Sequence, residues 1–147
     1  SQYLTVVVTN QSVIARGKCT ESDMNTIHNR LQSLIGEFGA SIDRIYYCPH
    51  YPEQIAGGRK DLKILCECRK PEPGLILRAT KNMNIDLNKS WMVGDMTSDI
   101  EAAKKAGVKS ILLADQGVTD NQKSVLPDAQ CLDLKEAVDL ILNYPKD

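Results

Sequence analysis

Residues 4–17 read LTVVVTNQSVIARG. Leu4 to Val8 is an apolar, largely β-branched run, and the polar group Thr9-Asn10-Gln11-Ser12 follows without a spacer. A strand buried on both faces is continuously apolar, and in an open parallel sheet ligands bind just past the carboxyl ends of the strands. The stretch therefore predicts a central parallel strand with polar groups set at a ligand-binding edge.

Outward from it the same alternation recurs. Residues 20–39 place Met24, Ile27, Leu31, Leu34, Ile35 and Phe38 at helical spacing, with Thr20 as cap, Asp23 as its acidic partner and Gly39 as stop. His28 falls off that stripe and is expected on the solvated face. Short strands are predicted at RIYYC (44–48), SWMVGD (90–95) and KSILLA (109–114), and helices at 71–84, 97–107 and 133–143. For the 97–107 helix Thr97 or Ser98 is the expected cap, and Asp133 with Glu136 caps the last one. Strands alternating with helices imply right-handed βαβ crossovers, so the chain is read as one α/β domain over residues 1–147.

Composition excludes several roles. Eighteen Lys and Arg face nineteen Asp and Glu, and no basic tract interleaves with aromatics, which sets nucleic acid aside. The apolar run at Val6–Val8 is too short for a membrane span and no charged leader precedes it, so no membrane role is expected and the compartment is taken as cytoplasmic. Five cysteines, clustered and odd in number, do not suit a secreted disulfide framework. Cys19 and Cys131 are expected to be ordinary buried or half-buried thiols.

Three clusters carry chemistry. Cys48 and His50 lie two residues apart, as do Cys66 and Cys68, on either side of a polar, Gly-containing stretch without apolar periodicity. Three thiolates and an imidazole make a closed tetrahedral zinc set, structural because no position stays open; the alternative is a chance group of reduced cysteines. Arg69 and Lys70 follow the last of these ligands and suit phosphate, or else form a solvated basic pair. Asp95 ends a predicted strand, where a hard cation such as Mg²⁺ binds carboxylate oxygen. Asp99 stands in the first helical turn beyond, and metal binding and helix-dipole stabilisation are equally open for it. Thr9 and Asn10 offer a hydroxyl and an amide to phosphate oxygens, or a capped turn.

Taken together, VVVTNQS.IARG, IYYCPH, C.CRKP.PG and MVGD...D..AA, over roughly Leu4 to Leu113, closely resemble the D-glycero-D-manno-heptose 1,7-bisphosphate phosphatases. These belong to the haloacid dehalogenase-like (HAD) superfamily, with histidinol-phosphate phosphatases as relatives. The resemblance implies a Rossmannoid three-layer sandwich and removal of the C7 phosphate of a heptose bisphosphate through an aspartyl phosphate. It implies Thr9 and Lys70 as catalytic groups on the phosphoryl, and Thr9, Asn10, Gln11, Ser12, Arg69 and Lys70 as substrate contacts. Asp95 would hold Mg²⁺, and Cys48, His50, Cys66 and Cys68 would hold Zn²⁺ in a loop spanning 48–68. Asp99 moves to a supporting position. Val13 replaces the usual Gly of the family's loop, and Met96 a Lys found in some relatives.

One expected part is missing. Superfamily phosphatases carry Asp-x-Asp on their first strand, one Asp as nucleophile and one as acid–base, yet no Asp precedes Asp23. That strand should lie between the one ending at Thr9 and the one ending at Asp95. Three arrangements follow: an upstream segment in the parent protein, which is the expectation adopted; a strand from another chain, giving a strand-sharing oligomer; or direct pairing of the two strands. A complete protein is expected to be monomeric, and residues 1–147 alone to be inert. The alternatives are a histidinol-phosphate phosphatase or an inert zinc-stabilised module that binds sugar phosphate.

Overall fold

The computed structural model describes residues 3–53, 56–114 and 125–145. The chain divides into two compact units, Ser1–Arg69 and Lys70–Asp147.

In the first unit β1 (Val6–Asn10) leads to α1 (Glu21–Gly36) and then β2 (Arg44–Cys48). β1 and β2 pair in parallel from Val6↔Arg44 to Asn10↔Cys48, so both strands end at the same edge. Thr20 and Asp23 cap α1 reciprocally: the Thr20 hydroxyl accepts from the Asp23 N–H at 3.0 Å, and the Asp23 carboxylate accepts from the Thr20 N–H at 2.9 Å. The helix stops at Gly36, three residues ahead of Gly39.

The buried face of α1 differs from the expected one. Ile27, Leu31, Leu34 and Phe38 are exposed, and Met24 is the buried residue of the helix. His28 corrects the sequence reading: it is half-buried, its ring tilted against Tyr47 with centroids 5.4 Å apart. In this orientation the Gln32 amide donates to the Ile42 carbonyl at 2.8 Å and accepts from the Ile42 N–H at 3.2 Å.

The second unit opens with α2 (Gly74–Met83), closed by Asn84 in the left-handed region at φ 52°, followed by a 3₁₀ turn at Leu87–Lys89. β3 (Trp91–Gly94), α3 (Thr97–Ala106), β4 (Lys109–Leu113), β5 (Ala129–Cys131) and α4 (Leu134–Asn143) complete it. The sheet order is β3-β4-β5, all parallel. α3 packs on β3 and β4, α2 on α3, and α4 against the three strands. Ala103, Ala106 and Val108 form one core with Ile76, Leu87 and Met92, and Ile111, Cys131 and Ala137 another with Trp91, Val93 and Leu140. The small residues of α3 let the helix lie close on the sheet.

Thus the described strands make two separate parallel ladders. Among the described residues β1 pairs with β2 and β3 with β4, so the direct pairing considered from sequence is not the arrangement adopted. β5 was not foreseen: three residues, AQC, carry too little pattern to read.

Candidate metal centre and phosphate-binding residues

The register that ends β1 and β2 together sets two functional segments side by side. Asn10 is opposite Cys48, and the Gln11 N–H continues the ladder to the Cys48 carbonyl at 2.8 Å. Thr9 and Asn10 close β1, and Gln11 and Ser12 begin the loop, all four half-buried. Gln11 Nε2 donates to Thr9 Oγ1 at 3.1 Å, orienting that hydroxyl. Val13 is half-buried and its carbonyl accepts from the Lys18 N–H at 3.0 Å, inside a tight loop.

Cys48, His50, Cys66 and Cys68 come together at the end of β2, with one donor atom from each lying within 4.8 Å of the others. Cys48 Sγ is 3.1 Å from Cys68 Sγ and 3.6 Å from Cys66 Sγ, and His50 Nδ1 is 3.5 Å and 3.3 Å from Cys48 and Cys68. Zn–S bonds of about 2.3 Å set tetrahedral S···S edges near 3.8 Å, so these residues fit one tetrahedral ion with little adjustment. Their protonation agrees. Burial, then the Cys68 hydrogen bond, pushes the Cys48 thiol up. At Cys66 burial also pushes up, but hydrogen bonds from Cys68 and Cys48 outweigh it and the thiol is lowered. Of these two thiols Cys66 is therefore the readier to ionise. The cluster could bind a metal.

The loop between the two ligand pairs is anchored by its backbone. The Arg59 N–H donates to the Ala15 carbonyl at 2.9 Å, and a Cβ on Gly58 would stand 2.4 Å from that same oxygen. Buried Lys63 donates to the Gly57 carbonyl. Arg69, next after Cys68, donates from Nη1 to the His50 carbonyl at 3.1 Å.

Lys70 and Asp99 form the buried ion pair of the second unit. Lys70 Nζ is 2.6 Å from Asp99 Oδ1, with the side chains 12% and 5% exposed. Asp99 Oδ2 accepts from the Met96 N–H at 3.1 Å, which makes Met96, and neither Thr97 nor Ser98, the N-cap of α3. Gly94 leaves the room, since a Cβ there would lie 2.3 Å from Asp99 Oδ2. Neither open reading of Asp99 described this role, because its partner is far away in sequence. Asp95 directly follows β3, at the strand end expected from the sequence, and is exposed. Met96 is 59% exposed.

Parallel strands with helices between them and a Cys/His cluster that could bind a metal describe an α/β protein with a candidate metal centre, and its similarity to known proteins gives the class, a HAD-type hydrolase. The HAD-hydrolase-like family matches residues 67–137. The chain is 38% identical over 141 residues to the D-glycero-beta-D-manno-heptose-1,7-bisphosphate 7-phosphatase of Escherichia coli K12, covering 96% of this chain and 67% of that protein. It is 40% identical over 142 residues to the Haemophilus ducreyi protein of the same name, covering 96% and 70%. Among solved structures, D,D-heptose 1,7-bisphosphate phosphatase from B. bronchiseptica, complexed with magnesium and phosphate, superposes with a TM-score of 0.80 at 30% identity, covering 98% of this chain and 76% of that one. The chain belongs to the D-glycero-D-manno-heptose 1,7-bisphosphate 7-phosphatase family of HAD-like hydrolases. Among the described residues no helix is long and apolar enough to cross a membrane.

Proposed function

We propose that the protein removes the C7 phosphate from D-glycero-D-manno-heptose 1,7-bisphosphate, with the attacking carboxylate supplied from outside these 147 residues. The observation that carries the reading is Lys70, an ammonium held by the buried Asp99 carboxylate directly after the Cys/His cluster. A cation already fixed in place costs no reorganisation when charge builds on a phosphoryl oxygen. Thr9, oriented by Gln11, donates its hydroxyl to the phosphoryl group, and Asn10, Ser12 and Arg69 contact the substrate. Asp95 would hold Mg²⁺, whose chemistry is Lewis-acid neutralisation of phosphoryl oxygens. Cys48, His50, Cys66 and Cys68 would hold structural Zn²⁺. The same reading takes the two units as parts of one catalytic domain. It also puts the protein in the reducing cytoplasm, where thiolates stay available for metal.

The test is phosphate release from the heptose bisphosphate and from histidinol phosphate, with Mg²⁺, by the protein expressed from its complete gene. Turnover of the bisphosphate with much higher kcat/KM, lost in Lys70→Ala, is expected. Preference for histidinol phosphate, or binding without release of phosphate, overturns the reading.

A further inference from the structure

The three sulfurs of the Cys/His cluster are unevenly covered. Cys48 and Cys68 are buried, while Cys66 is half-buried. The chain on both sides leaves Cys66 open to solvent: Leu65 is 87% exposed, and Glu67 is exposed as well. Cys66 Sγ stands 3.6 Å from Cys48 Sγ and 3.4 Å from Cys68 Sγ. One thiol is therefore reachable by a small solute, and two more lie directly behind it.

Such a set has redox chemistry that fully covered sulfurs lack. A thiolate attacks one oxygen of hydrogen peroxide, the O–O bond breaks, and a sulfenic acid forms as hydroxide leaves. A second thiolate attacks that sulfur, the S–O bond breaks, and a disulfide forms as another hydroxide leaves. Two sulfurs have then given two electrons to one peroxide. Cys48 suits the second role. Cys68 is separated from Cys66 by a single residue, and a ring that small departs from ordinary disulfide geometry.

We propose that Cys66 and Cys48 form a peroxide-sensitive switch, whose reversible disulfide empties the Cys/His cluster of zinc. The switch rests on the zinc reading above and is independent of the choice of substrate. After oxidation only His50 and Cys68 remain, half of the set that tetrahedral zinc needs. The loss reaches the phosphate-binding residues through His50. Its carbonyl holds Arg69 Nη1 at 3.1 Å. The ring of Tyr51, next in the chain, has its centroid 4.4 Å from the guanidinium carbon of Arg16 and 5.4 Å from that of Arg69. Intracellular thiols reduce such a disulfide, so the oxidised state is transient.

The experiment titrates hydrogen peroxide into the protein expressed from its complete gene, after its zinc content has been measured. Zinc release is read with a chromogenic chelator, the first oxidised thiol with a sulfenic-acid trap, and the disulfide by mass mapping. Phosphate release from the heptose bisphosphate is followed alongside. The trap should mark Cys66, the map should join Cys66 to Cys48, and one zinc should leave per disulfide. Turnover should fall about tenfold or more, and return only when a thiol reductant and zinc are both added. Zinc stripped by a chelator under reductant should be replaced by zinc alone. Cys19→Ser, which removes the half-buried thiol outside the cluster, should respond as the parent. With zinc present at the start, a trap on Cys19, zinc retained after the disulfide forms, or turnover unchanged once zinc has left overturns the switch and leaves the zinc reading standing. A protein that takes up no zinc overturns both. If the parent does not turn over the bisphosphate, the phosphatase reading fails, and zinc release with the Cys66–Cys48 disulfide decides the switch.

Discussion

α3 is ten residues long and buries Asp99, Ile100, Ala102, Ala103 and Ala106, whereas α1 is sixteen residues long and buries only Met24. The strands differ in the same direction. β4 buries Ser110 and Ile111, while β1, for all its valines, has no fully buried residue. In the first unit two of the buried side chains are the thiols of Cys48 and Cys68. The second unit is held by apolar packing around an Ala-rich helix, and the first is organised around a ligand cluster with little packing behind it. Metal can stand in for a core because one ion replaces many small dispersion contacts with a few strong bonds.

Removing the proposed zinc tests that contrast most severely. Structural zinc is worth on the order of 10 kcal/mol in small peptides. Chelation or Cys68→Ser should therefore release one zinc per chain and strip hydrogen-exchange protection from β2 and residues 56–68, leaving α3 and β4 protected. Equal loss in α3 and β4 would erase the distinction.

The ion pair of the second unit comes next. Asp99→Ala takes the counter-charge from a nearly buried ammonium, which costs about 3–5 kcal/mol in such settings. Asp99→Asn, which keeps an acceptor for the Met96 N–H, should lose less. Urea unfolding monitored within residues 70–147 measures both, and a loss below about 1 kcal/mol for Asp99→Ala would show that packing alone holds α3 in place.

Two neighbouring glycines sharpen the account of the metal loop. Gly57 and Gly58 both have positive φ, at 73° and 71°, but only at Gly58 would a Cβ strike backbone. Gly57→Ala should cost about 1 kcal/mol, the backbone term alone, and Gly58→Ala clearly more, with faster zinc release. Equal thermal shifts would mean that the contact with Ala15 contributes nothing.

The smallest effect concerns Asp128. Burial pushes its carboxyl up, but hydrogen bonds from the Ser110 N–H at 2.8 Å and hydroxyl at 2.9 Å, with Lys104 nearby, outweigh this and hold it below its ordinary value of 3.8. A depressed folded-state value gives stability that is fully present above the ordinary value and is lost as pH falls through the folded one. With the side chain 38% exposed, solvent screens the pair. Asp128→Asn should cost about 0.5–1 kcal/mol near neutral pH, and the difference should close in acid. Paired unfolding curves against pH would show this, and a gap that persists in strong acid, well below the folded-state value, would assign the effect to packing.

The Cys/His cluster was legible because its residues are close in sequence. Cys48 with His50 and Cys66 with Cys68 each lie two positions apart, and the structure gathers all four. The partners that come from far away were not legible. Nothing near Lys70 points to Asp99, and nothing near Tyr51 points to Arg16, because such pairs are set by where the chain turns. The apolar stripe of α1 misled for a related reason: a periodic pattern states which side chains are apolar, while which of them are covered depends on what packs against the helix.

The sequence by itself determined the alternation of strands and helices, the capped ends of α1 and α4, the members of the Cys/His cluster and the HAD-like family. These depend on periodicity, end signals and donor chemistry, all of which are local. Only the tertiary structure decided that Asp99 neutralises Lys70, that Asp95 is exposed and that Arg16 and Arg69 share one ring. Burial and charge pairing are properties of neighbours in space, and the backbone sets those neighbours only once it has closed on itself.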